Sequence, residues 1–186
     1  MPPNPYESRT TQKLEFAKLY LDLRLRCPGD ASLNERAHEE SFLYHLIGAK
    51  DSFLQEINYA LGLGVREHVV SEDNLRRALD KAKKKCKALD EIENLEDGKK
   101  GKQKKEGKHE KDRWLELAIW FRNQGTHRAN IRRHFRRGGD VESTSFTDPS
   151  TGEAMEQTIT EFLSDCFEKM VELLNRLRST LPPWAP

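Results

Sequence analysis

The chain has 186 residues, 34% of them charged and 35% hydrophobic, with 32 basic and 31 acidic side chains giving a formal net charge of +1. That length supports a sizeable core, and a single domain over residues 1–186 is expected. The near-neutral balance excludes a uniformly cationic nucleic-acid binder but leaves room for a local basic patch.

The apolar residues fall in periodic clusters, which predicts amphipathic helices with charged outer faces rather than disorder. Residues 9 to 26 place Leu14, Phe16, Ala17, Tyr20, Leu23 and Leu25 at mostly helical spacing, and Cys27-Pro28-Gly29-Asp30 stops that helix. Ser32 and Glu35 have capping-box spacing. The stripe Phe42, Leu43, Leu46, Ile47, Phe53, Leu54, Ile57 and Leu61 then predicts a long second helix, ended by Gly62 and Gly64. Ser71 caps a third, whose buried face runs from Leu75 through Leu79 and Cys86 to Ile92.

Residues 98–112 read GKKGKQKKEGKHEKD, with no apolar side chain to offset the entropy of ordering, so a flexible connection is expected. Trp114, Leu115, Leu117, Ala118, Trp120 and Phe121 predict a fourth helix that is apolar on more than one side and so central. Alternation around Val141–Phe146 and the turn Asp148-Pro149-Ser150-Thr151-Gly152 suit either a small β-hairpin near 141–154 or a plain loop. Met155, Ile159, Phe162, Leu163, Cys166, Met170, Leu173 and Leu177 mark a last helix, and Trp184 is expected to pack as a lid. The fold class is therefore all-α, an antiparallel helical bundle of about five helices.

Cys27, Cys86 and Cys166 lie far apart in apolar surroundings, without a CxxC pair. They read as core residues in a reducing compartment. The start Met1-Pro2-Pro3-Asn4-Pro5 has no basic leader or apolar segment, and no apolar run approaches ~20 residues. A soluble, cytoplasmic protein without membrane contact is expected.

The most specific stretch is Trp120-Phe121-Arg122-Asn123-Gln124-Gly125-Thr126-His127-Arg128. Arg grips phosphate oxygens with a planar fork of donors, and His exchanges protons near neutrality. On an unbroken helix Arg122 and His127 would diverge by about 140°. Gly125 is expected to end the helix between them and let the chain fold back. Two readings stand side by side: phosphate chemistry, or a structural pair tying a helix end to neighbouring carbonyls or a carboxylate.

Arg122-Asn123-Gln124-Gly125-Thr126-His127 resembles the signature of the HEPN superfamily, an Arg, four to six residues and a His, with a polar residue after the Arg. An all-helical bundle with this motif late in the chain and a long final helix matches that family's architecture. The resemblance implies metal-independent RNA cleavage, a homodimer whose two motifs face one groove, and a toxin or defence role with a neutralising protein partner. It assigns proton transfer to His127, stabilisation of phosphate charge to Arg122, and an orienting or substrate contact to Asn123. Other members are non-catalytic binding modules.

Beside the motif, Arg128, Arg132, Arg133, His134, Arg136 and Arg137 form a basic run with one aromatic, suited to a sugar–phosphate backbone or to a solvated loop. Glu56, bordering the apolar stripe, is the candidate supporting acid. His38 and His45, seven apart, share a helix face, but two ligands make no metal site, and no metal or cofactor is expected. A non-catalytic bundle that binds a protein or nucleic acid is the alternative to a ribonuclease.

Overall fold

The computed structural model describes residues 4–27, 33–96, 113–126, 133–135, 144–148 and 152–182. Asn4 and Pro5 start the first helix earlier than the apolar pattern indicates. The Asn4 side chain accepts from Tyr6 N–H, and Pro5 stands where the missing donor costs nothing, so α1 spans Pro5–Leu25. Helix α2 covers Leu33–Ala60; Ser32, the expected cap, lies outside the described residues. Residues of α1 and α2 meet in reverse order: Asn4 Nδ2 donates to Glu56 O at 3.3 Å, the Tyr6 and Tyr59 rings meet edge to face, and Phe16 meets His45. At the far end Arg24 reaches Glu35 and Glu39, each at 2.9 Å. The two helices are thus an antiparallel pair.

Gly62 and Gly64 adopt positive φ after α2, as their position at a helix stop requires. A 3₁₀ turn at Glu67–Val69 leads to α3, Glu72–Ala82, whose N-cap Ser71 accepts from Asn74 N–H. The single third helix implied by the Leu75–Ile92 pattern is two. Lys83 takes a left-handed conformation (φ 52°, ψ 35°), its N–H bonds back to Asp80 O, and Lys84 N–H bonds to Leu79 O. This is a Schellman termination with lysine where glycine is usual. Helix α4 then runs Lys87–Glu96. The apolar spacing carries across the bend because Leu79 is buried before it and Cys86 and Leu89 within and after it, so periodicity alone does not expose the break.

Helix α5 spans Trp114–Thr126, and its Trp114, Leu115, Leu117, Ala118 and Phe121 are buried, which makes it central as expected. Three short strands follow: β1 (Arg133–Phe135), β2 (Thr144–Thr147) and β3 (Ala154–Thr158), antiparallel in that order. Arg133 faces Phe146 in the first ladder, and Ser145 faces Thr158 in the second, with an irregularity between Ser145 and Thr147. The anticipated hairpin is therefore present, displaced toward the C-terminus and joined by a third strand inside the arginine run.

Helix α6, Ile159–Arg178, starts later than Met155 because Thr158 and Glu161 form a reciprocal capping box that fixes the first turn. Met155 belongs to β3 instead. Phe162 packs on Phe121, and Cys166 lies against Trp114 O, so α6 runs antiparallel to α5. One buried cluster draws on all six α-helices of the described residues. The chain is an all-α bundle carrying a small β element. No helix among the described residues is long and apolar enough to cross a membrane.

Candidate functional site at the end of α5

Phe121 fixes the presentation of the motif. It is fully buried, edge to face with Trp120 at 5.0 Å between centroids and with Phe162 of α6 at 5.6 Å. The Phe121–Phe162 pair joins α5 to α6 and so opposes rotation of α5 about its axis. Arg122 follows directly and is half-buried, while Asn123 is exposed. Thus α5 delivers an arginine stem against the bundle and an amide into solvent from one rigid turn.

Helix α5 does not stop before Gly125; it continues through Gly125 to Thr126. A glycine inside a helix costs about 1 kcal/mol against alanine but does not break the hydrogen-bond ladder. The fold-back expected at that position is therefore absent up to Thr126. His127, Arg128, Arg132, Arg136 and Arg137 lie outside the described residues, as do residues 98–112 and Trp184. Arg133 and His134 belong to β1, where their backbone pairs with Phe146 and Ser145 of β2. A strand in this position gives the arginine run a defined backbone for at least three residues.

The sheet is tied to the base of α5. Arg113 Nη1 donates to Asp148 Oδ2 at 2.8 Å, and Arg113 Nε donates to Glu116 at 3.0 Å. The hydrogen bonds to Glu116, first, and the nearby Asp148 charge hold the Arg113 guanidinium above its already high pKa. Asp148 N–H also bonds to Glu153 O, and Gly152 N–H to Asp148 O, which closes the β2–β3 turn. Short-range sequence reading misses this tie because Arg113 and Asp148 stand 35 positions apart.

Glu56 is buried in α2, and both of its carboxylate oxygens accept from Arg178 of α6 at 2.9 Å. The hydrogen bonds to Glu56 raise Arg178 further above its ordinary range, against the opposing effect of burial. His38 and His45 do share a face, as their spacing requires: both meet Tyr20, with His45 stacked on it at 5.5 Å. Burial, then the Lys13 charge, lowers the His45 pKa. Among the described residues no group of three or more His, Cys, Asp or Glu side chains is placed to hold a metal ion. Cys86 and Cys166 are core thiols, both pushed up chiefly by burial, whereas Cys27 is half-buried just past the end of α1.

A second ion cluster had no sequence signal beyond an apolar helix interrupted by a lysine. Lys50 of α2, nearly buried, places Nζ 2.5 Å from Glu72 of α3 and 2.5 Å from Glu96 of α4. Burial opposes ionisation of all three groups. Lys50 overcomes it at Glu72, which lies below the ordinary carboxylate range, but not at Glu96, which lies above it; the two carboxylates in turn raise Lys50.

No protein-family model, curated protein or solved structure matches the chain.

Proposed function

We propose that this protein is a HEPN-like, metal-independent endoribonuclease, a toxin or defence component that works as a homodimer under the control of a neutralising protein partner. The observation that supports this most is the anchoring of the motif. Phe121 is fully buried and packs edge to face on Phe162 of α6, so Arg122 and Asn123 extend from a central helix held against its neighbour. Catalysis of phosphoryl transfer is mostly positioning and charge stabilisation, and a rigid helix turn provides both.

In this reading His127 accepts the proton of a ribose 2′-OH as its oxygen attacks the adjacent phosphorus. The bond from phosphorus to the 5′ oxygen breaks, and that oxygen takes a proton from water to leave as a 5′-hydroxyl, while His127 returns the 2′-OH proton to solvent. A 2′,3′-cyclic phosphate remains. Arg122 stabilises the added negative charge on the phosphate oxygens as it develops. Asn123 orients the substrate or one of the two partners. Arg128, Arg132, Arg133, His134, Arg136 and Arg137 hold the flanking backbone.

The test is cleavage of a mixed RNA pool in EDTA by the full chain, beside Arg122→Ala and His127→Ala. Cleavage that yields cyclic phosphate ends and is lost in both variants, with circular dichroism unchanged, supports the nuclease. Binding of RNA without cleavage by any of the three supports a non-catalytic binding module. Equal cleavage by all three removes Arg122 and His127 from the mechanism.

A further inference from the structure

The bend between α3 and α4 concentrates positive charge on an ordered turn. Lys81, Lys83, Lys84, Lys85 and Lys87 are all exposed, with no carboxylate among residues 81–87. The bend is pinned from both sides: Leu79 is fully buried before it, and Cys86, Ala88 and Leu89 are buried within and after it. Because Cys86 turns inward, Lys85 and Lys87 beside it are left outward. Lys83 holds its left-handed conformation at a cost of about 1–2 kcal/mol for an L-residue, and the paired backbone bonds of Lys83 and Lys84 keep the turn in place.

Elsewhere the bundle pairs many of its cations with carboxylates, although Arg26, Arg36, Arg66 and Arg77, which are spread over the end of α1, α2, the α2–α3 connection and α3, also take part in no ion pair among the described residues. Lys18, Lys50, Arg76, Arg113, Lys169, Arg176 and Arg178 each contact a carboxylate. Lys84 donates to Leu61 O at 2.6 Å, at the negative end of the α2 dipole. Lys81, Lys83, Lys85 and Lys87 take part in none of the ion pairs among the described residues. Like charges held together without counter-charge form a site for a polyanion. The neighbouring apolar residues Leu75 and Leu79 face the core, so the bend lacks the exposed apolar wedge that membrane-surface helices insert.

We infer that the α3–α4 bend binds the phosphate backbone of single-stranded RNA, with Lys81, Lys83, Lys85 and Lys87 as its contacts. The inference rests on the RNA reading above and adds a second contact region, on elements separate from α5. It contributes affinity and salt dependence and reads no sequence.

The experiment is fluorescence anisotropy of a labelled 2′-O-methyl oligouridine of about 20 nucleotides, longer than the ~4–16 nucleotides one binding fold covers. This probe has no free 2′-OH to attack, so binding is read apart from cleavage. The full chain is compared with K81Q/K83Q/K85Q/K87Q and with the charge-matched K99Q/K100Q/K102Q/K104Q. Each lost phosphate contact flattens the log affinity against log salt slope by about 0.7, so the bend variant is expected to lose about 2–3 in slope and roughly 10- to 100-fold in affinity at low salt. The matched variant is expected to lose far less. Equal losses in the two variants would mean net charge alone is read and would overturn the site. Unchanged binding by the bend variant overturns it as well, while cleavage of unmodified RNA decides the nuclease reading independently. If the bend variant instead loses binding only to phosphatidylserine vesicles, the surface belongs to a membrane and the inference fails.

Discussion

Arg178 clasps Glu56 across 122 positions of sequence, Nε to Oε2 and Nη2 to Oε1, each at 2.9 Å. The pair joins the end of α6 to the buried side of α2, and the two partners are not equivalent. The Glu56 side chain is 1% exposed and that of Arg178 27%. Removing the arginine leaves a buried carboxylate without its counter-charge, whereas removing the carboxylate's charge leaves an arginine that reaches water. Arg178→Ala is therefore expected to cost about 2–4 kcal/mol and Glu56→Gln about 1–2 kcal/mol. Urea unfolding of both variants measures the order. Equal costs, or the reverse order, would refute the asymmetry. The same Glu56→Gln protein tests the supporting-acid role, because a merely structural glutamate would leave the pH profile of cleavage in place.

The Lys50 cluster predicts strong non-additivity. Lys50→Met strands Glu72 and Glu96 together in a part-buried site, and about 2–3 kcal/mol of destabilisation is expected, below the ~3–5 of a fully buried pair because the carboxylates keep some solvent. Lys50→Met combined with Glu72→Gln and Glu96→Gln removes all three charges and should lie within about 1 kcal/mol of the unsubstituted protein. Chemical denaturation decides it: a triple variant as unstable as the sum of its parts contradicts the coupling.

Most of the bundle was legible because burial on one helix face leaves a periodic trace. Phe42 through Ile57 and Ile159 through Leu177 fill the core where the pattern placed them. What escaped the sequence has physical causes. The break at Lys83 carries no glycine or proline, and the apolar period resumes across it. The early start of α1 depends on Asn4 and Pro5, which carry no apolar period. Ion pairs such as Arg24–Glu35 and Arg113–Asp148 are tertiary contacts between residues that any sequence presents as ordinary surface charge. At the candidate site, Arg122 and Asn123 stand where the helical pattern put them, and the extension of α5 through Gly125 is the correction, since glycine weakens a helix without ending it.

Lys83 offers a stabilising substitution. Glycine adopts the left-handed region without the Cβ clash, a gain of about 1–2 kcal/mol partly offset by its greater freedom in the unfolded chain, about 0.5–1 kcal/mol. Lys83→Gly should raise stability by about 0.5–1 kcal/mol, or about 1–4 °C in Tm for a chain of this size. Differential scanning calorimetry reads this directly, and a lowered Tm would mean that the lysine stem contributes packing the conformation does not reveal.

His45 predicts the sign of one pH dependence. Its pKa is lowered in the folded protein by burial and by Lys13, so the unfolded chain binds that proton more readily. The stability it contributes is present above the unfolded value of about 6.5 and is lost as the pH falls below that value toward the folded pKa. Replacing it by phenylalanine keeps an aromatic ring among Phe16, Tyr20 and Tyr44 and removes the titration. Between pH 7.5 and 5, about the span a histidine titrates, the unsubstituted protein should lose stability relative to His45→Phe. Urea midpoints taken across that range test the sign: parallel curves would show that His45 titrates alike in both states, and a relative gain on acidification would show a folded-state pKa raised rather than lowered.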